Sequence, residues 1–284
     1  MQGCAPAIVL VAYGSLYAGA LETYTGIMNC YQKEFYGSKI KLSFTSDQIR
    51  RKLAGNRGIA IPGPLAALAD LHDQNFKDVL VQPLHIVPGG EFHETALLVN
   101  GLKGIKGRFG FRCLEMGRPL LSSLQDCKRV SNALTPILSR ITHEGATSDL
   151  YRNPEEEAVV LVGHGSCHPG ECVYSQMAGI LKRSHRNVFL GTLEGYPGID
   201  DVVADIIDSG VKRVRLIPFL LVAGGHMLKD VAGEGEGSWR SAIEGQGFKT
   251  KVHLHGLGDC EEIVGLLLEH TKASMDKMEE RRFS

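Results

Sequence analysis

Along this chain, short runs of continuous apolar residues alternate with longer stretches whose apolar positions recur every three or four residues. The first pattern is that of strands buried on both faces of a parallel sheet, and the second that of amphipathic helices, while residues 39–45 (KIKLSFT) alternate apolar and polar and also read as a strand. Strands are expected at residues 7–12, 39–45, 78–82 and 108–115, and again at 159–162, 188–193, 211–217 and 251–255. Helices are expected from Gly14 to about Phe35, over 47–53, from Pro62 and Pro64 onward with Leu65, Leu68 and Leu71 on one face, from the loop 88–94, and over 120–140. The second half repeats the order with helices at 172–184, 199–209, 238–246 and 261–283. Residues 142–157 between the halves are polar, hold Gly145 and Pro154, and end in three glutamates, which marks a domain boundary.

The halves also share phrases. Residues 7–15 read AIVLVAYGS and residues 158–166 read AVVLVGHGS, an offset of 151 from Tyr13 to His164. Residues 77–91 read KDVLVQPLHIVPGGE and residues 212–226 read KRVRLIPFLLVAGGH, an offset of 135 from Glu91 to His226. Two ordered matches imply a duplicated half-chain. The expected fold is α/β: two similar doubly wound parallel-sheet domains, residues 1–145 and 146–284, with the C-terminal helix left open to pack back on the first.

Both copies change just past the strand, and both changes in the second half are to histidine. Such folds place ligands at the carboxyl ends of their strands. His164, Glu194 and His226 each follow a different strand, and two imidazoles with a carboxylate suit a divalent first-row metal with open positions. They are also groups able to accept protons. The first half offers Tyr13, Ser15, Thr45, Ser46, His85, Glu91 and His93, a poorer metal set that suits the wall of a binding site. Gly14, Gly89, Gly90, Gly165, Gly224 and Gly225 let backbone approach a ligand closely.

Composition narrows the classes. Hydrophobic residues are 43% of 284, enough for a full core, and the net charge of −1 gives no broad surface for nucleic acid. No apolar run reaches the roughly 18 residues of a membrane span, and no basic segment followed by an apolar stretch opens the chain. Seven scattered cysteines without a Cys-x-x-Cys pair fit a reducing compartment. The expected location is cytoplasmic, or periplasmic if an export signal has been trimmed. Cys167, His168 and Cys172 lie close together, but at no standard metal spacing. Neither a dinucleotide fingerprint nor a phosphate-binding loop is present, and the Gly-His-Gly-Ser turn is not a hydrolase elbow.

The phrases LVAYGS, VQPLHIVPGGEFHE, LVGHGS, GTLEGYP and LIPFLLVAGGHMLKDVAGE resemble the anaerobic sirohydrochlorin cobaltochelatase family, the ATP-independent class II chelatases related to ferrochelatase. The resemblance runs in order over nearly the whole chain. It implies a bilobal fold with a tetrapyrrole in the interdomain cleft, and cobalt(II) insertion into sirohydrochlorin for cobalamin biosynthesis. It also implies that His164, Glu194 and His226 are the metal-binding and catalytic set. Tyr13, Gly14, Ser15, Glu91, Gly165 and Ser166 would line the substrate. The family's usual Phe-Gly-Thr-like turn is here Tyr13-Gly14-Ser15. Lys229, Arg50 and Arg51 are candidates for substrate carboxylates. The resemblance further implies a homo-oligomer and, in PGGEFHE, a haem ligand at His93. Iron(II) insertion is the neighbouring reading, and a non-catalytic tetrapyrrole or metal carrier the reading from another class.

Overall fold

The computed structural model describes residues 5–143, 157–225 and 227–283. Its chain forms two compact units. The first comprises the residues up to Ser122 together with the chain from Val264 onward, and the second spans Ser123–Ile263. The linker expected around residue 145 falls outside the described residues. The division at residue 122 leaves the helix that follows it with the second unit and the C-terminal helix with the first.

In the first unit, β1 (Ala7–Ala12), β2 (Ile40–Phe44), β3 (Asp78–Pro83) and β4 (Cys113–Met116) form a parallel sheet in the order β2-β1-β3-β4. All six residues of β1 are buried, as its unbroken apolar run requires for a central strand covered on both faces. One face carries Ala7, Val9, Val11, Val79 and Val81. They pack against Ala67, Leu68 and Leu71 of α3 (Pro64–Asp73) and Val99 of α4 (Gly90–Lys103). Helices α1 (Ala18–Glu34) and α2 (Asp47–Arg57) complete the early part of the unit. The fourth strand is shorter than the pattern suggests. A 3-10 turn occupies Gly107–Phe109, and the backbone of Gly110 presses on the Ile105 carbonyl so closely that a Cβ would sit 2.3 Å from its oxygen.

The unit is closed by α9 (Glu261–Phe283). The Tyr31 hydroxyl of α1 meets the buried Thr271 hydroxyl of α9 at 3.0 Å, and Thr271 reaches Gln82 of β3 at 3.0 Å. The Gln82 amide donates in turn to the carbonyls of Pro83 and Arg118, so this buried group is satisfied on both sides.

The second unit repeats the topology. β5 (Glu157–Gly165), β6 (Val188–Glu194), β7 (Arg213–Pro218) and β8 (Lys249–Val252) are parallel in the order β6-β5-β7-β8. Helices α5 (Leu124–His143), α6 (Cys172–Ser184), α7 (Ile199–Ser209) and α8 (Trp239–Gly245) flank it. Val160, Val162, Phe189, Leu216, Val202, Ile206, Trp239 and Ile243 form one core cluster. Gly191 is fitted to it: a Cβ there would lie 2.5 Å from the Trp239 ring.

The duplication extends to detail. The phenol of Tyr24 is hydrogen-bonded to the Gly14 backbone, and that of Tyr174 to the Gly165 and His164 backbone. Burial raises the pKa of both. Each unit therefore anchors the turn after its central strand with a tyrosine from the next helix.

Candidate functional site

The second unit's central strand carries His164 to its carboxyl end. Gly165 follows with φ +77°, in register with Glu194 of β6. A Cβ on Gly165 would fall 1.5 Å from the Glu194 carbonyl oxygen and 2.9 Å from Thr192 Cβ. Only a residue without a side chain lets these two strand ends come together. The result places His164 next to the end of the strand that ends in Glu194.

His164 is half-buried, and its Nδ1 lies 2.9 Å from the Gly165 carbonyl oxygen. A carbonyl can only accept, so Nδ1 is the donor, and in the neutral ring Nε2 is left with the lone pair. That tautomer is the one in which an imidazole can hold a metal through Nε2, with the backbone fixing its ring. Glu194 is exposed. Its turn is held from behind by Thr192, whose N–H and hydroxyl both donate to the Pro197 carbonyl at 2.8 and 3.1 Å.

On the other side of β5, the chain leaving β7 stays attached to the sheet, with the Phe219 N–H donating to Val162 at 2.8 Å. It runs through Gly224 and Gly225 towards His226, which lies outside the described residues. A single π-helical turn, Met227–Val231, comes next, an element the sequence pattern did not signal. Among the described residues no three His, Cys, Asp or Glu side chains are grouped to hold a metal ion.

Three further groups lie on the segment that follows His164. The Ser166 hydroxyl donates to Glu171 Oε1 at 3.1 Å and accepts the His168 N–H at 3.2 Å. Glu171 stands on the 3-10 turn Pro169–Glu171 that leads into α6. Burial raises its pKa above the usual carboxylate value, opposed by the Ser166 hydrogen bonds and by His164 and His168. The His168 Nδ1 accepts the Gly170 N–H at 3.0 Å, which folds that turn. Reading strand ends in the sequence passed over Glu171. The Ser-x-x-x-x-Glu spacing from Ser166 is the one local trace of it.

The first unit's candidates form a separate group. Tyr13 is exposed, and Gly14 (φ +104°) lies against Phe44, whose ring a Cβ would meet at 2.7 Å. Ser15 is buried, and its hydroxyl accepts the Tyr17 N–H at 3.3 Å. Glu91 sits half-buried in the first turn of α4, where the helix dipole favours a carboxylate. His93 is exposed, with Nδ1 2.9 Å from the Gly89 carbonyl oxygen and its ring edge-on to Phe92. The parallel register, continued one residue past Ala12, sets Tyr13 level with Thr45 and His85. Thr45 Oγ1 and both His85 ring nitrogens are sealed from solvent with no hydrogen-bond partner. Burial lowers the His85 pKa from 6.5 to about 4.

Residues 6–276 match the family model described as cobalt chelatase (CbiK). The chain belongs to that family. It is 32% identical over 273 residues to the sirohydrochlorin cobaltochelatase CbiKC of Nitratidesulfovibrio vulgaris, covering 96% of this chain and 92% of that protein. The sirohydrochlorin cobaltochelatase of Salmonella typhimurium is 29% identical over 274 residues, with 95% and 96% covered. Among solved structures, the sirohydrochlorin chelatase SirB of Bacillus subtilis subspecies spizizenii in complex with cobalt matches at a TM-score of 0.62 and 14% identity, over 97% of each chain. CbiX, from the biosynthesis of siroheme in denitrifying bacteria, matches at 0.56 and 16% over 94% and 99%. At such identities these structures speak for the fold alone, and that fold is the chelatase one. No helix among the described residues of this family member is long and apolar enough to cross a membrane.

Proposed function

We propose that this chain is a sirohydrochlorin cobaltochelatase, inserting cobalt(II) into the metal-free tetrapyrrole without ATP. The observation that carries the reading is the full-length match to proteins of that name, at 29–32% identity. The local geometry of β5 and β6 supports it, because it sets His164 as an Nε2 donor beside the strand end of Glu194.

The reaction replaces two pyrrole protons by one divalent ion. Neutral imidazole nitrogens at His164 and His226, with the Glu194 carboxylate, hold the incoming ion while leaving coordination positions for pyrrole nitrogens. The same donors become bases as the ion leaves them for the macrocycle, since proton and metal compete for one lone pair. Glu194, exposed at its strand end, is the group placed to pass a proton to water. Tyr13, Gly14, Ser15, Glu91, Gly165 and Ser166 are assigned to contact the tetrapyrrole. At Ser166 the contact uses oxygen lone pairs or backbone, because its hydroxyl hydrogen is engaged by Glu171. Nothing around His93 adds to the haem that resemblance implies: its Nδ1 serves the Gly89 carbonyl at the start of α4.

The test is steady-state metallation of sirohydrochlorin followed by its absorbance change. Cobalt(II) insertion should run far above the uncatalysed rate and fall at least about a hundredfold in His164→Ala. A protein that binds cobalt and tetrapyrrole but does not accelerate insertion is a carrier. Faster insertion of iron(II) under the same conditions moves the assignment to a ferrochelatase.

A further inference from the structure

We infer that Glu171 is a positioning residue of the ion-receiving strand ends, bracing the turns after β5 and β6 and drawing the divalent substrate ion towards His164. The inference rests on the chelatase reading above. Its structural basis is a set of contacts that join both turns. Glu171 Oε1 accepts the Ser166 hydroxyl at 3.1 Å, two residues past His164. Glu171 Oε2 faces Gly195, the residue after Glu194: the space a Cβ on Gly195 would take is 3.5 Å from that oxygen, 3.5 Å from the Ser166 carbonyl oxygen and 3.6 Å from Thr192 Oγ1. Gly195 has φ +117°, so the turn brings bare backbone to the carboxylate. One side chain thus hydrogen-bonds the segment after His164 and stands beside the segment after Glu194.

The second half of the argument is electrostatic. Glu171 Oε2 is buried and has no hydrogen-bond partner. A carboxylate oxygen withheld from water costs free energy unless a positive group offsets it. His164 and His168 both act electrostatically on Glu171, in the direction that favours its charged form. A divalent ion arriving at His164 would act in the same direction and more strongly. Glu171 hydrogen-bonds Ser166 and acts electrostatically on His164, so its assigned part is through space and through the turn it braces. Its net effect is to raise the occupancy of the ion before the tetrapyrrole takes it.

The experiment titrates the full chain with cobalt(II), without tetrapyrrole, reading the visible d–d band, and separately measures kcat and KM for cobalt(II) in the metallation assay. Glu171→Gln keeps one oxygen to accept from Ser166, removes the charge and puts an NH2 donor in place of the other oxygen. It should weaken cobalt(II) binding about tenfold and raise KM for cobalt(II) to match, the order expected of one charge at short range. The band shape and kcat should stay within about twofold of the native protein. Glu171→Asp, which restores the charge, should recover part of the affinity. Unchanged affinity and KM in Glu171→Gln overturn the inference, as does a loss confined to kcat that Glu171→Asp does not repair. If native protein fails to metallate sirohydrochlorin while Glu171→Gln still weakens cobalt(II) binding, the chelatase reading falls and the role of Glu171 stands.

Discussion

Replacing Gly165 by alanine tests whether the approach of two strand ends builds the site. The residue has φ +77°, and the added methyl would lie 1.5 Å from the Glu194 carbonyl oxygen and 2.5 Å from its carbon. The left-handed backbone alone costs a non-glycine residue about 1–2 kcal/mol. Forcing backbone away from an overlapping methyl costs about 1–3 kcal/mol more. Together they predict a melting temperature lower by about 4–20 °C, at about 2–4 °C per kcal/mol for a domain of this size. Gly210 supplies the control. It has φ +71° at the end of α7, but nothing within 4 Å of an added Cβ. Gly210→Ala should therefore show only the backbone strain, about 1–2 kcal/mol, and near-native activity. Gly165→Ala should lose about a hundredfold in cobalt(II) insertion, because β6 must retreat from β5 by an ångström or more and take Glu194 with it. Differential scanning calorimetry and the sirohydrochlorin assay read the two quantities. Equal melting temperatures and equal rates for the two variants would refute the reasoning, since the strand ends would then tolerate separation.

Two other predictions concern buried charge. Burial lowers the His85 pKa from 6.5 to about 4, so the unfolded chain takes up this proton first as pH falls. Stability is complete above about pH 6.5 and lost down to about pH 4, by at most about 1.4 kcal/mol per unit. His85→Leu should flatten that slope in urea unfolding, and an unchanged slope would dismiss the account. Arg215 and Glu157 pair at 3.1 Å between β7 and β5, both nearly sealed from solvent. Glu157→Gln strands the guanidinium and should cost about 3–5 kcal/mol, whereas Arg215→Met with Glu157→Leu should cost far less. The fluorescence of Trp239, the chain's single tryptophan, reports this unit's unfolding, and a double variant worse than the single one would contradict the pairing argument.

Each of the eight strands among the described residues overlaps a segment expected from the sequence, and the central ones stand out most clearly because burial on both faces leaves them little choice but Val, Leu, Ile and Ala. Cys172–Ser184 and Ile199–Ser209 are helices within the expected bounds, since each has a clear amphipathic stripe and a polar or glycine stop. Local pattern was weaker where backbone geometry decides. Glycines at 107 and 110 turn the approach to β4, so that strand starts at Cys113 instead of Arg108. β8 ends at Val252 instead of His255, ahead of the 3-10 turn Leu257–Asp259. The site shows the same limit. His164 and Glu194 were picked out by their expected place at strand ends, and the structure does set them at the ends of paired strands. Glu171 was not, because its place beside them comes from a short turn and a side-chain hydrogen bond that no periodicity encodes. The place of α9 in the first unit was left open in the sequence, because the contact that ties it there, Thr271 to Gln82, spans 189 positions.

That last connection sets an order of synthesis. The helix that satisfies Gln82 leaves the ribosome only after the whole second unit has been made. Until then the side-chain oxygen of Gln82 in the third strand waits without its Thr271 donor, although its amide group is already met by Pro83 and Arg118. The nascent amino-terminal segment therefore cannot reach its finished form by folding as it emerges, and a shortened product ending near residue 263 should be recognised by quality control despite carrying both sheets.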